Sequence, residues 1–191
     1  MRNGCRFALA FALFVTLRAG AADADLDPLM ALLAARPHGH VSFVEQDYLG
    51  VLDRPLATTG ELLYERPDHL EKRTLTPRPA SLILEHGNLT IQSGRHKRVL
   101  ALRDYPQIAP FIESIRATLA GDRAALEQVF QLHFEGSLVR WTLSLVPRDA
   151  KLKSVVQQIR IEGVRDELRT VNILQADGDR SVMTIGPSIP P

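Results

Sequence analysis

The chain has 191 residues, of which 45% are hydrophobic, 24% charged and 6% aromatic, and its formal net charge is +1. This length suits one domain with a sizeable core, and the near-neutral charge does not fit a nucleic-acid-binding protein, which normally carries a basic excess. The single cysteine, Cys5, excludes a disulfide within the chain.

Residues 1–21 have the pattern of an export signal. Two arginines precede an apolar run from Phe7 to Leu17, and small residues suited to cleavage follow it. The run is shorter than the roughly 20 apolar residues that a membrane-spanning helix needs. We place the cleavage after Ala21, with residues 22–24 as a second choice, and predict that 22–191 form a single exported domain. Removal of the signal takes away three arginines and no acid, which leaves 20 basic against 22 acidic residues and a net charge of −2.

The exported domain begins with a short amphipathic helix over residues 26–36, because Leu26, Leu29, Met30 and Leu33 recur at helical spacing. The hydrophobic period then changes to two, which is typical of strands. The predicted strands are 40–49, 61–66, 69–75, 81–85, 88–92 and 97–102. Residues 54–59 carry proline and polar side chains and are predicted to form a turn. Tight connections between short strands favour an antiparallel meander.

Residues 106–131 return to helical spacing and predict two helices. Ile108, Phe111, Ile112 and Ile115 lie on one side of the first, and Asp122 caps the second. Five more strands follow, at 132–135, 139–146, 154–161, 168–175 and 181–185. A sheet of ten or eleven strands usually curls or closes. If it closes around the helices, the interior would be a pocket lined by aliphatic side chains; ordinary core remains the other interpretation of the same apolar stripe.

No catalytic or metal-binding motif emerges from the polar residues. The six histidines show no metal-ligand spacing, no serine lies in a G-x-S-x-G elbow, and no glycine-rich turn leads from a strand into a helix. Glu45 and Asp47 are assigned to opposite faces of their strand and interpreted as solvated charge. We therefore expect no enzymatic activity and no metal or other cofactor.

The stretch from Gly60 to Pro67, GELLYERP, contains an unusual arginine. Leu62, Tyr64 and Arg66 share one face if this stretch is a strand. A cation in line with apolar residues is costly unless it has a partner or a function. An arginine that extends past Tyr64 to water is the alternative interpretation.

Together, the export signal, the first helix, the F-x-E motif at 43–45 and the G-x-L-x-Y-x-R-P motif at 60–67 resemble the LolA-like family of periplasmic lipoprotein carriers. The resemblance implies a mainly β fold with helices, an incomplete (unclosed) antiparallel β-barrel of about ten to eleven strands with a helical lid. An apolar cavity would shield the acyl chains of a lipid-modified protein or lipid cargo. Transfer would run through the periplasm, from an inner-membrane ABC transporter or other membrane donor to an outer-membrane acceptor. We expect a monomer.

The same resemblance assigns functional residues. Arg66 would hold the lid shut through hydrogen bonds to the lid backbone and couple opening to loading. Phe43, Leu62 and Tyr64 are expected by motif to line the cavity and bind acyl chains. Periodicity and position, not a motif, add Leu82, Leu84, Leu89, Ile91, Leu100, Ile108, Phe111, Ile112 and Ile115. Glu45 stands where the family usually has glutamine, which favours a specialised lipid or lipid-linked cargo. The alternative is a non-carrier envelope interaction or scaffold module with a filled β core.

Overall fold

The computed structural model describes residues 26–106 and 109–190, so the predicted export signal lies outside the described residues. The strands in these ranges are β1 (His38–Tyr48), β2 (Leu56–Glu65), β3 (His69–Thr76), β4 (Ala80–Glu85), β5 (Asn88–Ser93), β6 (His96–Ala101), β7 (Phe130–Ser137), β8 (Arg140–Pro147), β9 (Val156–Val164), β10 (Glu167–Gln175) and β11 (Arg180–Ser188). The helices are α1 (Leu26–Ala34), α2 (Ala109–Ala120), α3 (Arg123–Val129) and α4 (Ala150–Lys153), with a 3-10 turn at Leu102–Asp104.

These strands form one antiparallel sheet with the spatial order β6-β5-β4-β3-β2-β1-β11-β10-β9-β8-β7. Pairing between β1 and β11 joins the first six strands to the last five. Within the described ranges the edge strands β6 and β7 do not pair with each other, so the barrel is incomplete. The predicted fold class, an unclosed antiparallel β-barrel of about ten to eleven strands with helices, is confirmed.

Two local predictions differ from the structure. Strand β2 begins at Leu56, so the turn predicted over 54–59 is wrong in its second part, where Leu56 pairs with Asp47 and Thr59 with Val44. Pairing along the whole of β1 outweighs the weak strand propensity of this polar stretch. Helix α4 was not predicted, because one turn of helix is too short to show a period.

The core lies on one half of the inner face of the sheet, which we call the filled half and define as strands β7–β9. Trp141, Leu143 and Leu145 of β8 and Ile159 and Ile161 of β9 are at most 2% exposed. They pack in one cluster with apolar residues of α1, α3 and α4, namely Leu26, Leu29, Met30, Leu33, Leu126 and Leu152. We call strands β1–β5 the open half. Within the described ranges, the inner face of the open half contributes no residue to this cluster.

Candidate functional site

A cavity of about 610 Å³ lies between the inner face of the open half and helix α2. The lining is mostly aliphatic. It includes Leu62, Leu70, Leu82, Leu84 and Leu89 from β2–β5, Phe111, Ile112, Ile115 and Leu119 from α2, Val171, Ile173, Met183 and Ile185 from β10 and β11, and Leu33 from α1. This volume falls in the range of roughly 300–1,000 Å³ that is usual for ligand pockets.

Strand register explains why the leucines of the open half meet on one surface. Leu84 lies opposite Leu70 on β3 and opposite Leu89 on β5. Directly opposite residues of antiparallel strands project to the same face of the sheet. Period-two spacing then adds Leu82, two residues from Leu84, to the same face. The result is a continuous apolar wall across three strands.

Helix α2 forms the opposite wall and has two different sides. The side that borders the cavity carries Phe111, Ile112, Ile115 and Leu119. Its buried residues are Ser114, Ala117 and Thr118, and α2 packs against α1 and α3. The hydroxyls of Ser114 and Thr118 donate to backbone carbonyls of α2 itself, at 2.7 and 2.8 Å. The helix is thus held from behind by small side chains and presents its large ones to the cavity.

The residues predicted to line a cavity divide into three groups. The structure brings together Leu62, Tyr64, Leu82, Leu84, Leu89, Phe111, Ile112 and Ile115 around the cavity. Ile108 lies outside the described residues. Phe43, Ile91 and Leu100 are not among the lining residues.

The positions of these last three have physical reasons. Phe43 is 2% exposed, and its ring fills the space above Gly60, where a Cβ atom would lie 2.8 Å from the ring. The ring is therefore part of the wall beneath the cavity surface. Leu100 lies in the edge strand β6, one strand beyond Leu89. Ile91 lies on β5, the outermost strand that contributes to the described lining, between Leu82 of β4 and Arg98 of β6.

A polar cluster, formed by Glu45, Lys72, Ser181 and Thr58, interrupts the apolar lining. Glu45 is 7% exposed, and its carboxylate forms an ion pair with the Lys72 ammonium. The same carboxylate accepts hydrogen bonds from the hydroxyls of Ser181, at 3.0 Å, and Thr58, at 3.3 Å. Glu45, Lys72 and Ser181 all line the cavity. Sequence reasoning did not identify this cluster.

The assignment of Glu45 and Asp47 to opposite strand faces is wrong, because side chains two residues apart on a strand project to the same face. Both carboxylates line the cavity. Glu45 is buried and ion-paired, so it is not solvated charge. The sequence contained the information needed to place Glu45, since the alternation that predicts an inward Phe43 also predicts an inward Glu45.

Tyr64 contributes a buried hydroxyl to the cavity wall. The residue is 8% exposed, and its hydroxyl has no hydrogen-bond partner in the described part of the chain. Burial raises the pKa of this hydroxyl, and the positive charges of Arg66 and Arg116 partly offset that rise.

Arg66 lies outside the cavity lining and contacts the end of α1. Its Nη1 donates to the carbonyl oxygen of Ala34 at 2.5 Å, and its backbone N–H donates to the Pro37 carbonyl at 2.9 Å. Strand β2 ends at Glu65, so Arg66 has left the ladder and reaches the C-terminal carbonyls of a helix, where a cation is favoured. The expected contact with a helix backbone is present, but its partner is α1 and not α2.

Two further observations concern the described part of the chain, residues 26–106 and 109–190. It contains no group of three or more histidine, cysteine, aspartate or glutamate side chains that could hold a metal ion. None of its helices combines the length and the apolar character required to cross a bilayer.

Comparisons with known proteins support a single family. The family model described as "Outer membrane lipoprotein carrier protein LolA-like" matches residues 18–187. No curated protein sequence matches the chain. A chain of the MucA/MucB complex from Pseudomonas aeruginosa has a TM-score of 0.50 and 14% identity, covering 86% of this chain and 56% of that one.

Two other solved structures align with the chain at TM-scores below 0.5. A LolA superfamily protein from Nitrosomonas europaea has a TM-score of 0.45 and 11% identity, covering 89% of this chain and 93% of that one. A DUF1329 family protein from Desulfovibrio piger has a TM-score of 0.48 and 10% identity, covering 85% of this chain and 89% of that one. At these identities and TM-scores, the two alignments support no conclusion about function.

Proposed function

Because this chain belongs to the LolA-like family of outer-membrane lipoprotein carrier proteins, we propose that it shields the acyl chains of a lipoprotein or lipid-linked cargo during transfer through the periplasm. The observation that carries the proposal is the cavity of about 610 Å³ with its aliphatic lining. Each buried methylene is worth about 0.8 kcal/mol, so an acyl chain needs an apolar enclosure to cross water. Such a cavity meets that need without any catalytic group.

The cavity also argues against the alternative of a scaffold or interaction module. A module of that kind would have a filled β core. Here the described core cluster lies on the side of the sheet formed by β7–β9. The leucines of the open half instead border the cavity, which favours a container over a scaffold.

In the proposed mechanism α2 is the lid and α1 is its fixed support. Helix α1 buries Leu26, Leu29, Met30 and Leu33 in the core cluster. The fully buried side chains of α2 are small, and the half-buried Phe111 packs against the same cluster. Separation of α2 from its neighbours therefore exposes less apolar surface than separation of α1. Arg66 steadies the C-terminal end of α1 through the Ala34 carbonyl. Cargo would enter by displacing α2.

A carrier of this kind needs one partner that supplies the cargo and another that receives it. The proposed donor is an inner-membrane ABC transporter or another membrane donor, and the acceptor is an outer-membrane component. Loading and release are binding equilibria, so no cofactor is required. Release to the acceptor then depends on the relative affinity of carrier and acceptor for the same acyl chains.

A direct test is to express residues 22–191, identify co-purifying lipids by mass spectrometry, and titrate the delipidated protein with a fluorescent acyl probe. The proposal expects bound lipid and saturable probe binding. A delipidated protein that binds no probe at micromolar concentration would contradict it.

The role of Arg66 is tested with Arg66→Leu. Loss of this charged hydrogen bond, worth about 1.5 kcal/mol or more, should lower the thermal midpoint by a few degrees while the chain stays folded. Because α1 supports the lid, the probe dissociation rate should also rise. Arg160→Leu is the matched control, because Arg160 pairs with Glu162 on the outer face and does not line the cavity. A variant that simply unfolds would make Arg66 a structural residue.

A further inference from the structure

We infer that the Glu45–Lys72 pair selects cargo whose polar group is a neutral oxygen acceptor, such as an ester- or amide-linked acyl chain, and rejects chains that end in an ionised carboxylate. The inference rests on the proposed carrier function and adds to it the chemical class of the cargo. Its basis is the polar cluster of Glu45, Lys72, Ser181 and Thr58 within an otherwise aliphatic lining.

Stability alone is a poor explanation for this cluster. The Glu45 side chain is 9% exposed and that of Lys72 25%, so both charges lose much of their hydration, which their mutual attraction does not reliably restore. An apolar pair of similar volume often stabilises a fold as well or better. Glu45 and Lys72 lie on β1 and β3, which are already joined through the backbone ladders of β2. An ion pair is not needed to hold these strands together. Its position on the cavity surface points to a function in binding.

The polar cluster retains hydrogen-bond donors that a ligand could use. The Glu45 carboxylate is satisfied by Lys72, Ser181 and Thr58. The Lys72 ammonium has three N–H donors, and Glu45 is its only hydrogen-bond partner within the described residues. Its nitrogen also lies 5.2 Å from the centre of the Phe43 ring. The unused capacity is therefore donor capacity, which matches an oxygen acceptor on the cargo.

Local charge decides between a neutral and an anionic acceptor. Asp47 lines the cavity beside Glu45, so the three side chains Glu45, Asp47 and Lys72 carry a formal net charge of −1. Among the other charged lining residues, Arg36 pairs with Asp166 and Glu167, and Arg169 with Glu167. These pairs lie at the opposite end of the cavity, near the start of β10. A cargo carboxylate near Lys72 would thus meet net repulsion in an apolar setting, where charges are weakly screened.

The test compares a long-chain fluorescent fatty acid with its methyl ester, at a pH where the free acid is ionised. The wild-type chain should bind the ester at least about tenfold more tightly, equivalent to one step of roughly 1.4 kcal/mol. Glu45→Gln keeps the shape and the acceptor oxygen but removes the charge. It should tighten binding of the acid by about tenfold and change binding of the ester by less than about twofold.

Lys72→Met removes the donor and should weaken ester binding by about tenfold while binding of the acid stays weak. Asp53→Asn, on an exposed loop outside the lining, is the matched charge control and should change neither affinity. Thermal unfolding checks that each variant is folded, and Glu45→Gln decides the question if Lys72→Met does not fold.

Two outcomes would overturn the inference while leaving the carrier function in place: equal affinity of the wild-type chain for acid and ester, or an unchanged preference in folded Glu45→Gln. If the wild-type chain bound neither probe, the carrier function itself would fail, and the inference with it.

Discussion

The two halves of the sheet share one strand pattern and have different interiors. In the filled half, Leu143 and Leu145 are fully buried beneath α1, α3 and α4. In the open half, Leu62, Leu70 and Leu89 have the same alternation but are only half-buried, and Leu82 is 38% exposed. The difference lies in the helices above them. Alternation determines which face of a strand is apolar, and the helix packed on that face determines whether it becomes core or container.

The largest expected effect comes from truncating one leucine in each half. Leu143→Ala should lower the free energy of unfolding by about 2–5 kcal/mol, because it leaves a void in close-packed core. Leu89→Ala should lower it by less than about 1 kcal/mol, since Leu89 already borders empty space and loses fewer contacts. Urea unfolding measures both. Equal losses would mean that the open half is packed as tightly as the filled half.

A larger side chain at Gly121 should disturb the packing of α1 on the turn between α2 and α3. This residue has φ of +66°, and a Cβ atom there would lie 2.1 Å from the Met30 carbonyl oxygen. Gly121→Ala combines left-handed strain with a clash, and should cost about 3 kcal/mol of stability. Gly94→Ala is the control, with φ of +58° in open space, and should cost only about 1–2 kcal/mol. Indistinguishable unfolding midpoints would exclude a tight contact between α1 and the α2–α3 turn.

Filling the cavity should affect binding and spare the fold. Leu89→Trp places a large ring in the open half, and should weaken acyl-probe binding by about tenfold or more while the thermal midpoint changes little. Val99→Trp is the control on the same hairpin, because Val99 is 59% exposed and does not line the cavity. Fluorescence titration measures the affinity. Unchanged binding in Leu89→Trp would place the acyl site elsewhere.

The smallest effect is expected at Tyr64. Tyr64→Phe removes a buried hydroxyl that has no hydrogen-bond partner among residues 26–106 and 109–190, so stability at neutral pH should be unchanged or higher by up to about 1 kcal/mol. Because burial raises the hydroxyl's pKa above its ordinary value of 10.0, the unfolded chain loses this proton first. Wild-type stability should therefore fall relative to Tyr64→Phe as the pH rises above 10. Parallel alkaline unfolding curves would contradict a raised pKa.

Much of the site was accessible from the sequence, since alternation placed Leu82, Leu84 and Leu89 on one face and helical spacing placed Phe111, Ile112 and Ile115 on another. The contacts that escaped prediction join residues that are distant in the sequence. Arg66 finds its acceptor 32 residues earlier, and Lys72 finds Glu45 27 residues earlier. No local period encodes such a contact, because it depends on how separate elements are stacked.

The sequence by itself determined the order and type of the elements other than α4, the antiparallel meander, the period-two faces of its strands and the LolA-like motifs, because each of these depends on neighbours a few residues apart. The tertiary structure alone decided that β7–β9 are filled while β1–β5 border a cavity, that Arg66 contacts α1, and that Glu45 meets Lys72 inside. These features depend on the volume left between helices and sheet and on charges brought together from distant strands. Strand periodicity records which way a side chain points and carries no information about what stands opposite it.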